Sequence, residues 1–300
     1  MRYSRKMSGG MEPDSNIFWQ VGRGRRLQLG HRGHIMAIIN VTPDSFSDGG
    51  RFVDGGAAVA HGLACVEAGA SILDVGGEST RPGAAEVSAA EEQDRVLPVI
   101  EHLVRETEAL ISIDTYRAQT ARLALEAGAH IVNDVHGLQR EPDIADIVAE
   151  AGAGLCIMHT GRGREGQILP DMIADQALFF QHSLAIADAA GVKREAIVLD
   201  PGFGFAKNGA QDLHLMSRFG ELQALGLPWM VGASRKRFLG AVTGHERASD
   251  RDIGTAATTV ILRLAGAAIF RVHDVAVNRD ALAVADAVLA AGELREGDGG

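Results

Sequence analysis

Eight short apolar runs in this chain each hand over to a polar or charged side chain at their C-terminal end. In chain order the residues leaving the runs are Asn40, Glu78-Ser79-Thr80-Arg81, Asp114, Asn133-Asp134, His159, Asp200, Ser234-Arg235-Lys236 and Arg271-x-His273-Asp274. The starts of the same runs are mostly small residues and glycine. Two kinds of chemistry are on offer. Arg235, Lys236, Arg271 and His273 leave the last two runs together, and such a set of donors suits a phosphorylated substrate. Asp114, Asn133 and Asp200 leave three others. A carboxylate in an apolar setting needs a donor-rich partner, and a ring with a guanidine-like N–H edge supplies two parallel donors. Asn133, which both donates and accepts, suits the mixed edge of such a heterocycle. The plain alternatives are surface ion pairs for the cations and helix capping for the acids, since Asp114 precedes Thr115-Tyr116-Arg117 as an N-cap would. Four cations arriving together, and Asp200 opposite Asp114, weigh toward ligand recognition.

The runs that position these residues are Met36–Ile39, Ser71–Val75, Leu110–Ile113, His130–Val132, Leu155–Met158, Ala196–Leu199, Trp229–Val231 and Ala268–Val272. They are short and without polar alternation, as parallel strands buried on both faces are. Between them lie helix-length segments with an Ala/Leu-rich face, such as Gly56–Ala68, Ala89–Glu106, Tyr116–Ala127, Ala174–Ala190 and Asp252–Leu264. Gly69, Gly128 and Gly191 follow three of them and suit left-handed C-caps. Eight β-α alternations without a linker predict an α/β fold, a single-domain (β/α)8 TIM barrel. A doubly wound open sheet is the alternative, because the sequence does not show the last strand closing on the first. The barrel is expected over residues 17–292, flanked by disordered tails at 1–16 and 293–300. In a barrel the C-terminal strand ends converge on one rim, where active sites form, and the last two loops there are its customary phosphate site.

Two loops at that rim are long and polar. Asn40-Val-Thr-Pro-Asp-Ser-Phe-Ser-Asp-Gly-Gly50 and Glu78-Ser-Thr-Arg-Pro-Gly83 read as lids that order on substrate. Other motifs fail on context. Gly161-Arg-Gly-Arg-Glu-Gly166 matches a dinucleotide fingerprint but opens no helix. The chain has no His-x-His pair and no Gly-x-Ser-x-Gly elbow. His61, His102 and His182 read as surface residues.

Composition narrows the class. With 46% apolar and 23% charged residues in 300, the chain is globular. A net charge of −10 repels nucleic acid unless a local basic patch intervenes. No apolar stretch is long enough for a membrane helix. Cys65 and Cys156 lack metal or disulfide spacing and read as buried hydrophobes. The basic N-terminus has no apolar core segment. Together these predict a reduced, cytoplasmic protein.

The quoted loops, with Asp74-Val-Gly-Gly-Glu-Ser-Thr-Arg-Pro-Gly83, Asp200-Pro-Gly-Phe-Gly-Phe205, Gly232-Ala-Ser-Arg-Lys236 and Arg271-Val-His-Asp-Val275, resemble the signatures of the dihydropteroate synthase family. The resemblance runs from about His34 to about Ala287 in the family's motif order. It implies a homodimeric folate-pathway barrel, a target of sulfonamides. The family joins 4-aminobenzoate to 6-hydroxymethyl-7,8-dihydropterin diphosphate, giving 7,8-dihydropteroate and diphosphate. By the resemblance, Asp114, Asn133, Asp200 and Lys236 would hold the pterin, Arg271 and His273 the diphosphate, and Asn40 a Mg2+ ion. Thr80 would contact the substrate, with Arg81 beside it. The 4-aminobenzoate pocket would use Pro43, Phe46, Thr80, Pro82, Ser234 and Lys236. One stretch departs: many members continue Met-His-Met-Gln-Gly-x-Pro where this chain has Met158-His-Thr-Gly-Arg-Gly-Arg164. Two other readings remain. A methyltetrahydrofolate-binding methyltransferase barrel would keep the acids but not need the diphosphate donors. A non-catalytic pterin-binding paralogue would keep the pocket and lose the loops.

Overall fold

The computed structural model describes residues 17–41, 51–78 and 87–297. Strand and helix alternate along it: β3 (His34–Asn40), α1 (Arg51–Glu67), β4 (Ile72–Gly76), α2 (Ala89–Glu106), β5 (Leu110–Asp114), α3 (Ala118–Glu126), β6 (Ile131–Asp134), α4 (Asp143–Ala151) and β7 (Gly154–Met158). Then come α5 (Met172–Ala189), β8 (Ile197–Asp200), α6 (Gly209–Ser217), β9 (Met230–Val231), α7 (Arg237–Thr243), α8 (Asp252–Leu264), β10 (Ile269–Val272) and α9 (Val275–Gly297). Every predicted strand is present. The sheet order is β8-β7-β6-β5-β4-β3-β10-β9, with β10 pairing parallel to β3. A parallel bridge between Leu199 and Trp229 joins β8 to β9. That bridge and the β10–β3 pairing close the ring and rule out the open doubly wound sheet.

Alternation along each strand splits the barrel into two cores. Side chains such as Ile35, Ala37, Leu73, Val75, Ile111, Val132, Leu155 and Phe270 point outward and pack beneath the helices. The intervening residues Met36, Ile72, Leu110, Ile131, Cys156, Val198, Met230 and Ile269 fill the barrel interior. The runs therefore look continuously apolar because both faces are covered, as for any parallel sheet.

The N-terminal end of the barrel is plugged by a hairpin that no apolar run predicts. It pairs β1 (Ile17–Gln20) with β2 (Arg26–Leu29) antiparallel. Trp19, Val21 and Leu29 pack on the interior cluster, and the Trp19 indole N–H donates to the Ala196 carbonyl at 2.8 Å. Gly69, Gly128 and Gly191 take φ of +112°, +119° and +80°, the left-handed region expected of them after α1, α3 and α5. At the other terminus α9 runs on to Gly297, past the boundary at 292 where a tail was expected. Leu294 and Arg295 are good helix formers, and Gly292 interrupts that stretch without ending it.

Candidate active site

Following the inner row of each strand upward explains the site. Met36 and Ile38 lead to Asn40, Ile72 to Asp74, Leu110 and Ser112 to Asp114, Ile131 to Asn133, Val198 to Asp200, and Ile269 to Arg271 and His273. Register sets Asp114 beside Asn133 and Asp74 beside Ser112 on paired strands. The apolar floor thus gives way to a polar layer at the C-terminal mouth, the end where barrel enzymes work.

Arg271 organises that layer. Its Nε donates to Asp74 Oδ2 at 2.6 Å and its Nη2 to Asp114 Oδ2 at 2.5 Å. Asn133 Nδ2 donates to the same Asp74 oxygen at 3.0 Å. Burial pushes the Asp114 carboxyl up to about 7, against the pull of Arg271 and reinforced by Asp74. Burial also raises Asp200 to about 6, against the Gly202 N–H, which donates to its Oδ1 at 2.8 Å. Asp114 caps no helix, for the N-cap of α3 is Arg117, whose side chain makes no capping bond. Asp74 Oδ1 and Asn133 Oδ1 are buried acceptors without a hydrogen-bond partner among the described residues. Such groups are costly unless a ligand meets them.

Around the acids stand the cations. Lys236 Nζ lies 4.2 Å from the centre of the Phe205 ring, and burial, helped by Arg271, lowers its pKa to about 8. His273 is fixed by Ser234, whose Oγ accepts the His273 backbone N–H at 3.1 Å and sits 2.9 Å from Nδ1. Ser234 Oγ and His273 Nδ1 thus share one hydrogen bond whose direction follows the tautomer of the ring. Arg235 does not join this set. Its backbone is left-handed at φ +56°, and its guanidinium forks onto Asp252 with two 2.7 Å bonds. Of the four donors expected together, Lys236, Arg271 and His273 meet at the mouth and Arg235 does not.

Asn40, Asp114, Asn133, Asp200, Ser234, Lys236, Arg271 and His273 all stand at the mouth. Pro43, Phe46, Thr80, Arg81 and Pro82 lie outside the described residues. The residue that sequence reasoning passed over is Asp74, fully buried and bonded to both Arg271 and Asn133. Its signal was present: one carboxylate within a strand apolar on both faces needs a buried cation.

A sequence profile for pterin binding enzymes matches residues 36–273, from the first barrel strand to His273. The chain belongs to the pterin binding enzyme family. Relatives within it include dihydropteroate synthases. Dihydropteroate synthase of Escherichia coli strain K12 is 43% identical over 275 residues, covering 90% of this chain and 96% of that protein. Among solved structures, Xanthomonas albilineans dihydropteroate synthase with 4-aminobenzoic acid superposes with a TM-score of 0.86 at 41% identity, covering 92% and 99% of the two chains. The same enzyme in complex with 7,8-dihydropteroate gives a TM-score of 0.81 at 40% identity, covering 89% and 97%. The site described above falls wholly within the matched family region.

Proposed function

We propose that the chain is a dihydropteroate synthase. It condenses 4-aminobenzoate with the dihydropterin-methyl diphosphate, releasing diphosphate and 7,8-dihydropteroate. The observation that carries this reading is the Arg271 bridge. It ties the acids suited to a pterin edge to the end of the rim that supplies phosphate donors. A methyl-transferring barrel has no use for Lys236 and His273 beside such acids, so that alternative is set aside.

Asp114 and Asp200 are poised near neutrality, so the donor edge of an arriving pterin draws both to the carboxylate form. Asn133 Oδ1 and Asp74 Oδ1, without partners among the described residues, add acceptors to the same site. When the CH2–O bond breaks, its electron pair leaves with the diphosphate. Arg271 and the His273 imidazole stabilise that charge where it develops. The cationic pterin methylene left behind is held among Asp74, Asp114 and Asp200. The amine nitrogen of 4-aminobenzoate then bonds to it and sheds a proton. No covalent bond to the enzyme is required.

The proposal includes Mg2+, held through the amide oxygen of Asn40 at the end of β3. Among the described residues no group of three His, Cys, Asp or Glu side chains could hold a metal. A single amide oxygen suits a cation that takes its other ligands from substrate phosphates and water. When bound, the ion would neutralise negative charge on the diphosphate. The proposal also includes a homodimer. Ile261 and Leu264 on α8, with Val277, Val284 and Val288 on α9, are exposed apolar side chains on neighbouring helices. No helix among the described residues is long and apolar enough to cross a membrane, and both cysteines are unpaired thiols. These features support a reduced, cytoplasmic setting.

The test is diphosphate release by the purified chain with pterin diphosphate and Mg2+, with and without 4-aminobenzoate. Release that depends on the arylamine, with dihydropteroate as product, is expected. Tight pterin binding without such release would make the chain a non-catalytic paralogue.

A further inference from the structure

The turn after β7 is where this chain leaves the family's pattern, and its geometry gives it a part in the pocket. Gly161 is pressed against the segment that follows β8. Its N–H donates to the Phe205 carbonyl at 3.4 Å, and a Cβ there would fall 2.9 Å from Ile168 Cδ1 and 3.0 Å from Ala206 Cβ. The Arg162 N–H donates to Thr160 Oγ1 at 3.2 Å, which tightens the turn. Arg162 is thereby carried over Phe205, with its guanidinium carbon 5.2 Å from the ring centre. Lys236 approaches the same ring. Phe205 packs with Tyr116, Val135 and Met158 in an apolar cluster drawn from the ends of β5, β6, β7 and the segment after β8. These strands also deliver Asp114, Asn133 and Asp200. The positive charge of Arg162 reaches His136, whose pKa falls to about 4 through burial, Arg140 and Arg162 in that order.

We propose that Arg162 is a specificity-determining residue for the pterin ring, its flat guanidinium extending the Phe205 wall of the pocket. The inference rests on the synthase reading of that pocket. A guanidinium is planar and weakly hydrated, and it stacks on π faces in a way that an ammonium does not. A planar, electron-rich aminopyrimidinone held at its edge by Asp114, Asn133 and Asp200 presents a face for such a contact. The contact concerns the ring alone, so it is independent of the diphosphate and of 4-aminobenzoate.

The experiment is calorimetric titration of the full chain with 6-hydroxymethylpterin, which carries the ring without the diphosphate. It compares wild type, Arg162→Ala and Arg162→Lys, and is paired with steady-state diphosphate release. Arg162→Ala should weaken ring binding by about five- to tenfold, the scale of one desolvated cation–π contact. Arg162→Lys should fall with it, because a point charge lacks the plane. The KM for pterin diphosphate should rise in step while the KM for 4-aminobenzoate stays put. Ring affinity within about twofold of wild type in Arg162→Ala, or full affinity in Arg162→Lys, overturns the inference. So does a parallel rise in both KM values, which marks a misplaced turn. Wild-type protein that ignores the ring altogether sinks the pocket reading itself, and this inference with it.

Discussion

Asp114 shows how function costs stability in this site. Burial lifts its carboxyl from an ordinary value of 3.8 to about 7, even with Arg271 beside it. A raised carboxylate pKa means that the folded chain holds a proton which the unfolded chain has released. Between roughly pH 4 and 7, therefore, this residue's contribution to stability is lost as pH rises. Asp114→Asn should remove that dependence. In the ligand-free chain it should raise Tm at pH 8 by about 3 °C relative to wild type, the scale of about 1 kcal/mol. The gain should shrink toward pH 5. The same variant should lose pterin binding in calorimetry, because an amide offers one acceptor where the carboxylate offers two. Unchanged pterin affinity would refute the recognition scheme, and an equal Tm difference at both pH values would refute the account of the carboxyl. Asp74 lies one layer deeper, and its part was hidden by its setting. It was legible as a charge out of place in an apolar run, but its partner, Arg271, comes 197 residues later in the chain.

The turn after β8 sets the position of Asp200. Gly202 has φ +65°, and a Cβ there would stand 2.0 Å from the His159 carbonyl oxygen. Its N–H is also the donor to Asp200 Oδ1. Lys207 ties the turn from outside, donating to the Gly202 carbonyl and to His159 Nδ1, each at 2.9 Å. His159 in turn bonds Asp175 at 2.8 Å. Gly202→Ala should therefore destabilise the chain by about 2 kcal/mol or more in urea unfolding, and weaken pterin binding with it. Wild-type stability and affinity in that variant would mean the turn is not tight. The strands themselves were readable because parallel strands covered on both faces leave unbroken apolar runs ending in polar residues. The β1–β2 hairpin was not, since Arg26-Leu-Gln-Leu29 alternates over only four residues. What makes it structure is the plug of Trp19 in the barrel floor, a contact that only the closed fold creates. Arg235 misled for a related reason: it leaves a strand beside Lys236, yet its backbone turns it outward to Asp252, which lies on a helix the sequence places but does not aim.

At the level of the whole molecule the unspent feature is the exposed apolar face of α8 and α9. Val277, Val284 and Val288 recur at intervals of seven and four, which puts them on one stripe of α9. Ile261 and Leu264 continue the surface on α8, and Val284 is 61% exposed. An isolated exposed valine needs no explanation, but a stripe shared by two packed helices does. A second copy related by a two-fold axis presents the same stripe to itself, which lets one surface serve both sides of an interface. The pairing would cover the outside of the barrel wall and leave both mouths open. If so, Ile261→Glu combined with Val284→Glu should shift sedimentation from twice the 31.6 kDa chain mass to a single chain. Each mouth is built from one chain's strands, so the separated chain should keep arylamine-dependent diphosphate release at 25 °C while losing several degrees of Tm. Wild-type protein that sediments as a single chain at micromolar concentration would remove the dimer from the proposal. A monomeric variant that is folded yet inactive would instead show that the partner steadies the mouth across the barrel wall.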